Sequence, residues 1–301
     1  MQAKEKSGLA RRCFLLIAAL LCVVTSTYAA EDRGLLLEAS KDGHKIYLLG
    51  SIHLADQSFY PLRDVILNAY NSSDALVVEA DVIAMESDPQ LQQKVTQESF
   101  YPPGDQLKNH IPPELYGELQ EWLRKRMIPE RLFSRMRPAI AMITLSIVEM
   151  QAHGLDPNAG IDRHFLAEAH RQVKPILELE SVLQQLQLLN SLEKPELYLK
   201  QTLEQLSEMD QFVPRITGAW KAGDQEALYD LIFRQDIEQY PEFVQLHERL
   251  FYRRNREMAK KIQTFSEQHG KLFVVVGAGH LIGEKSVSDY LKAAGFNIKQ
   301  I

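Results

Sequence analysis

Two histidines occupy the same local pattern near opposite ends of the chain. They are His53 in Gly50-Ser51-Ile52-His53 and His280 in Gly277-Ala278-Gly279-His280, 227 positions apart. Each motif follows an apolar, β-rich run: Ile46-Tyr47-Leu48-Leu49 before the first and Leu272-Phe273-Val274-Val275-Val276 before the second. Sites in open α/β sheets form at the carboxyl ends of strands, and glycine there lets the backbone turn sharply or come close to a ligand. A histidine titrates near neutral pH, so each can act as a general base or a metal ligand. One Gly-x-x-His alone reads as an ordinary loop histidine. Two in the same slot argue for a shared site.

Carboxylates stand in matching places. Glu79 closes the run Ala75-Leu76-Val77-Val78, and Glu180 follows Pro175-Ile176-Leu177-Glu178-Leu179. Either alone would pass for a solvated loop residue, as Asp81 and Glu178 do. Together with His53 and His280, they make a set that suits a divalent ion such as Mn, Co or Zn. A carboxylate with a raised pKa could instead serve as general base for a water. Arg254 and Asn255 lie in a helical stretch whose Phe251, Met258 and Ile262 turn inward. Arg254 could then stabilise an oxyanion or clamp a carboxylate, with Asn255 beside it. Arg253 and Arg256 read as a solvated face.

Other signals fail on spacing. Gly277-x-Gly279-x-x-x-Gly283 is one residue too long for a dinucleotide fingerprint, and the 18 residues after Gly283 leave no room for a ribose-binding strand. The sequence contains no Walker A loop, no His-Glu-x-x-His and no Gly-x-Ser-x-Gly. His164 and His170, six apart on a helical stretch, face different ways and read as surface residues.

The elements that must position these groups follow from hydrophobic period. Strands are predicted at 46–49, 75–78, 175–179, 272–276 and 296–298, with helices at 62–70 and 287–294. Both ends run strand, Gly-x-x-His-Leu, loop, helix, strand. The expected fold is α/β: a central mixed sheet built from these N- and C-terminal strand–Gly-x-x-His–helix repeats. A large helical insertion, about 105–265, covers it with long amphipathic stretches at 112–149 and 194–266.

The chain of 301 residues, 45% hydrophobic, is long enough for one large domain. Residues 1–29 read as a secretory signal peptide: a basic start, a 12-residue apolar run from Cys13 to Val24, and a cleavage site before Ala30. That run is short of the roughly 20 residues a membrane span needs. Residues 30–301 would form a single domain in the periplasm or outside the cell, with no stable membrane anchor. Both cysteines, Cys13 and Cys22, fall in the leader, so chemistry must use His, carboxylates, Arg or hydroxyls. Removing a leader of net charge +3 from a chain of net −6 leaves −9. Nucleic acid is therefore not an expected partner.

These motifs together resemble the TraB/GumN family, which includes the Tiki proteins. The resemblance rests on Leu48 through Leu54, Val77-Val78-Glu79, Gly160-Ile161-Asp162, Leu179-Glu180-Ser181 with Gln185, Arg254-Asn255 with Met258-Ala259, and Val276 through Leu281. These run in the family's order across nearly the whole mature chain. Ser51 and Ser181 stand where the family usually has Thr, and neither change removes a proposed catalytic group. The resemblance implies an α/β fold related to erythromycin esterases and haem-binding lipoproteins. From the Tiki branch it implies metal-dependent proteolysis with Mn or Co.

The expected function is an exported metal-dependent hydrolase, of peptidase type, with a peptide or protein substrate. His53, His280 and Glu79 would hold the ion, and Glu180, Arg254 and Asn255 would join Glu79 in catalysis. A metal-free mechanism with histidine as general base uses the same groups. So does a protein that binds haem, metal or peptide without turnover. The Gln- and Leu-rich helices could instead make a lid or a dimer face.

Overall fold

A computed structural model describes residues 34–239 and 243–301. The leader and its cleavage site lie outside the described residues. Six strands are present among the described residues: β1 (Leu35–Lys41), β2 (His44–Ser51), β3 (Ala75–Val78), β4 (Ile176–Glu178), β5 (Leu272–Gly277) and β6 (Asn297–Gln300). They form one sheet in the order β4-β3-β5-β2-β1-β6. β2, β3, β4 and β5 are parallel neighbours, while β1 runs antiparallel to both β2 and β6. The parallel centre explains the unbroken apolar runs: Leu272 to Val276 and Ala75 to Val78 are buried because helices cover both faces.

β2 and β5 are adjacent, with Gly50 opposite Val276 and Ser51 opposite Gly277. The two Gly-x-x-His turns therefore leave neighbouring strands side by side, and 227 residues of sequence separation collapse to one strand spacing. The units that follow are not equivalent. After β2 the chain returns through a helix to β3, parallel and inside the sheet, whereas after β5 it returns to β6 at the far edge.

The helices that matter for the site are α1 (Asp64–Asn71), α2 (Pro113–Lys125), α3 (Pro138–Ala152), α4 (Ile161–Gln172), α5 (Val182–Asn190), α6 (Pro195–Gln205), α7 (Met209–Ala222), α8 (Arg253–His269) and α9 (Val287–Ala293). The helical middle is more than a cover. It supplies β4 to the sheet edge, and Phe165 of α4 and Met258 and Ile262 of α8 sit in the same core as the strands. A second core, with Leu115, Leu119, Leu145 and Leu199, joins α2, α3 and α6. Trp220 of α7 ties the helical layer to the sheet, its indole N–H donating to the Gly50 carbonyl at 2.7 Å.

Two surface assignments from the sequence need correction. His164 is half-buried against Tyr60 and Phe165. Asp81, expected to be solvated, is buried; it caps a short helix and pairs with His170 at 2.8 Å. Among the described residues, no helix is long and apolar enough to cross a membrane.

Candidate functional site

The carboxyl ends of β2, β3 and β5 deliver His53, Glu79 and His280 to one place, with Glu180 just past the end of β4. The main chain extends the β3–β4 pairing, since the Glu180 N–H donates to the Glu79 carbonyl at 2.8 Å. Gly277 sits at the meeting point. A Cβ there would stand 3.4 Å from Glu79 Oε1, 3.5 Å from His53 Nε2 and 3.7 Å from His280 Cδ2. Glycine keeps that space open for the three side chains.

Glu79 is the hub. Its Oε1 accepts from the Gly277 N–H at 2.8 Å. Its Oε2 accepts from Arg254 Nη2 at 2.8 Å and from Gln185 Nε2 at 3.1 Å. Burial resists ionisation of this carboxyl, but the positive charges around it and the Gly277 N–H outweigh burial and hold its pKa at about 2. His280, Arg254 and His53 contribute in that order, ahead of the amide.

Arg254 is the counter-charge to two carboxylates. Its Nε donates to Glu180 Oε1 at 2.8 Å, its Nη2 reaches both Glu79 Oε2 and Glu180 Oε2, and its Nη1 donates to the Leu250 carbonyl at 2.8 Å. Glu180 is thus turned toward the guanidinium, and Arg254 has little donor capacity left for a substrate oxygen.

The two histidines are oriented alike and charged differently. His280 is buried, and its Nδ1 lies 2.5 Å from Asn255 Oδ1. Asn255 Nδ2 donates to the Lys285 carbonyl at 2.9 Å. That bond sets the amide orientation, so Nδ1 of His280 carries the proton and Nε2 presents a lone pair. Nε2 faces Glu79 Oε1 at 3.7 Å. Burial, against the pull of Glu79, pushes its pKa down to about 4. Asn255 therefore positions His280.

His53 Nδ1 stands 3.2 Å from Asp162 Oδ2, in the first turn of α4. Gly160 allows this approach: a Cβ there would lie 2.3 Å from the His53 carbonyl oxygen. The Asp162 charge, working against desolvation, raises the His53 pKa to about 9. Its side chain is 61% exposed, so solvent screens part of this attraction. At neutral pH His53 holds a proton that it must release before Nε2 can act as a base or a ligand.

This predicts a measurable shift. In Asp162→Asn, the His53 pKa followed by NMR should drop from about 9 toward the ordinary value of about 6.5. The pair's stabilisation is fully present below pH 6.5 and fades as pH rises through the folded-state value, so the variant should lose most stability on the acid side. An unchanged His53 titration would show that Asp162 is not its partner.

Asp162 and Gln185 were not picked out as site residues from chemistry and spacing. Asp162 is an ordinary first-turn acid on an amphipathic helix, and Gln185 lies within a Gln-rich stretch. The single local sign was Gly160 just before a helix. Ser51 was likewise passed over; it is buried at the site, and its Oγ has no hydrogen-bond partner among the described residues.

The site opens into a cavity of about 440 Å3. Among the described residues, no group of three or more His, Cys, Asp or Glu side chains is arranged to hold a metal ion as it stands. The donor chemistry nonetheless fits one. Both imidazoles have Nδ1 held by an oxygen, as metal-ligating histidines do. A lone pair on His280 also faces an anionic oxygen with no proton between them.

A sequence profile of the TraB/PrgY/gumN family matches residues 35–300. The chain belongs to this family. Its relatives include the uncharacterised protein YbaP of Escherichia coli, 28% identical over 248 residues, which cover 82% of this chain and 87% of YbaP. They also include the metalloprotease TIKI1 of Xenopus tropicalis, 26% identical, and the metalloprotease TIKI2 of Danio rerio, 25% identical. In each case the match covers 84% of this chain and 58% of the relative, so the chain spans less than two thirds of these Tiki proteins. No solved structure matches the chain. The relatives thus include proteins named as metalloproteases.

Proposed function

We propose that this protein is an exported, metal-dependent hydrolase that cleaves peptide bonds. The observation that carries the proposal is the convergence of His53, Glu79 and His280 at Gly277 from three parallel strand ends, with Asp162 and Asn255 behind the two imidazoles. The metalloprotease names of the Tiki relatives support the reaction class. Export rests on the leader-type sequence at 1–29.

His280 Nε2, His53 Nε2 and Glu79 Oε1 are the groups that would hold the ion, with Mn or Co favoured over Zn. A divalent ion held there supplies a Lewis acid for the scissile carbonyl and makes water a usable nucleophile at neutral pH. The chain's own residues do the rest. Asn255 keeps His280 in the tautomer with a free Nε2. Asp162 holds His53 at Nδ1, leaving Nε2 beside Gly277. Arg254 and the Gly277 N–H keep Glu79 ionised, and Glu180 holds the Arg254 guanidinium in place.

Peptide-library cleavage, scanned over Mn, Co and Zn with His53→Ala as control, tests this directly. Turnover should require added metal and vanish in His53→Ala, with bound metal falling in parallel. Metal binding and cleavage that survive in both His53→Ala and His280→Ala would overturn the proposal. Saturable peptide binding without cleavage under any metal would reassign the site to a binding protein.

A further inference from the structure

The polar groups just described form one contiguous cluster, and the rest of the cavity is hydrocarbon. Its wall is built by elements far apart in sequence: Leu54 beyond β2, Met150 of α3, Leu188 of α5, Phe212 and Trp220 of α7, and Ile232. Trp220 is the one residue among these six that carries a side-chain donor, and its N–H is already engaged by Gly50. The wall therefore offers an entering group shape and apolar surface but no hydrogen bond. A polar group buried there would lose its water without replacement, a cost that selects against it. The volume of about 440 Å3 lies in the range of ligand pockets, roughly 300–1,000 Å3.

Two details show that this space is shaped. The segments Asp230–Arg234 and Glu248–Tyr252 are both π-helical, a rare winding that recurs at functional sites. They place Ile232 and Phe251 on the wall. Phe251 also lies against His280, with ring centroids 5.2 Å apart. The approach is close enough that a Cβ on Gly279 would stand 2.8 Å from the Phe251 ring. The apolar wall thus begins directly beside the reacting groups, and whatever fills it adjoins the bond being cleaved.

We propose that this cavity is the specificity pocket of the enzyme, selecting substrates in which a large apolar group, a side chain or an acyl chain, flanks the scissile carbonyl. The proposal rests on the hydrolytic function of the polar cluster, so its test includes a readout that needs no turnover. The chain has two tryptophans: Trp220 on the cavity wall and Trp122 in the second core. Trp122→Phe makes emission report on Trp220 alone. N-acetyl-leucinamide and decanoate should each shift that emission saturably, and N-acetyl-serinamide should not.

In kinetics, peptides with Gly, Ala, Leu, Phe, Ser or Asp beside the scissile bond, and p-nitrophenyl esters from acetyl to decanoyl, separate the two sources of the apolar group. kcat/KM should rise roughly tenfold or more from Ala to Leu or Phe if side chains are selected, or along the ester series if acyl chains are. Leu188→Trp, which narrows the cavity from half-buried α5, should erase the gain for large groups and spare small ones. A Trp220 response without turnover would preserve the apolar pocket and sink the hydrolytic assignment. A flat series in an active enzyme would overturn the proposal, as would no Trp220 response to either apolar probe.

Discussion

Arg254→Ala should cost about 3–5 kcal/mol of folding stability, the loss typical when one partner of a buried ion pair is removed. The side chains of Arg254, Glu79 and Glu180 are 16%, 15% and 18% exposed, so water can replace little of the lost interaction. Without the guanidinium, two carboxylates face each other through Gln185, which donates to both. Glu79 also loses one of the positive charges that lower its pKa. Arg254→Lys should recover only part of the loss, because an ammonium cannot reproduce the forked contacts to both carboxylates. Removing Glu180 as well should restore some stability by relieving the repulsion. Urea denaturation at pH 7 measures all three variants. A change under 1 kcal/mol in Arg254→Ala would mean that the network does not hold the site together.

His280→Ala should lower hydrolytic turnover about 10²–10⁴-fold, the usual contribution of a positioned acid–base side chain. The loss would be larger still if the ion leaves with it. Asn255→Leu should lower turnover about 10–100-fold, as expected for a group that orients a ligand from behind. Asn255 is 1% exposed, and its amide oxygen and nitrogen bridge His280 and Lys285. Its loss frees the ring to turn and lets the proton move to Nε2. The double variant should be no worse than His280→Ala, because the pair acts as a unit. A multiplicative loss would place Asn255 in contact with substrate instead.

Much of the sheet was readable because its strands are parallel and buried on both faces. Ala75-Leu76-Val77-Val78 and Leu272 through Val276 announce themselves as continuous apolar runs. β1 did not. Leu35–Lys41 is a half-amphipathic strand, and its signal was the Asp42-Gly43 turn to β2, both residues at positive φ, a hairpin signature. That strand makes the sheet mixed on this side, and its partner β6 carries the C-terminal unit to the opposite edge from β3.

The candidate site was readable to the extent that chemistry sits at strand ends. His53, Glu79, Glu180 and His280 could be picked out because each follows an apolar run, and Arg254-Asn255 because they lie on an amphipathic helix. Their division of labour was not readable. Of the two roles open to Arg254, oxyanion or carboxylate, the contacts are to carboxylates, and Asn255 lies against the His280 ring.

The sequence by itself determined the order of elements, the two Gly-x-x-His turns, the absence of any cysteine beyond Cys22, and the family. These depend on residue type and local period, which a linear chain carries in full. The tertiary structure decided that β2 and β5 are neighbours, that Asp162 stands behind His53, and that helices from the middle of the chain wall an apolar cavity beside His280. It also decided the charges: His53 raised to about 9 and His280 lowered to about 4, both beside Gly277. Protonation is set by burial and by the nearest opposite charge, and both are properties of contacts between segments far apart in the chain.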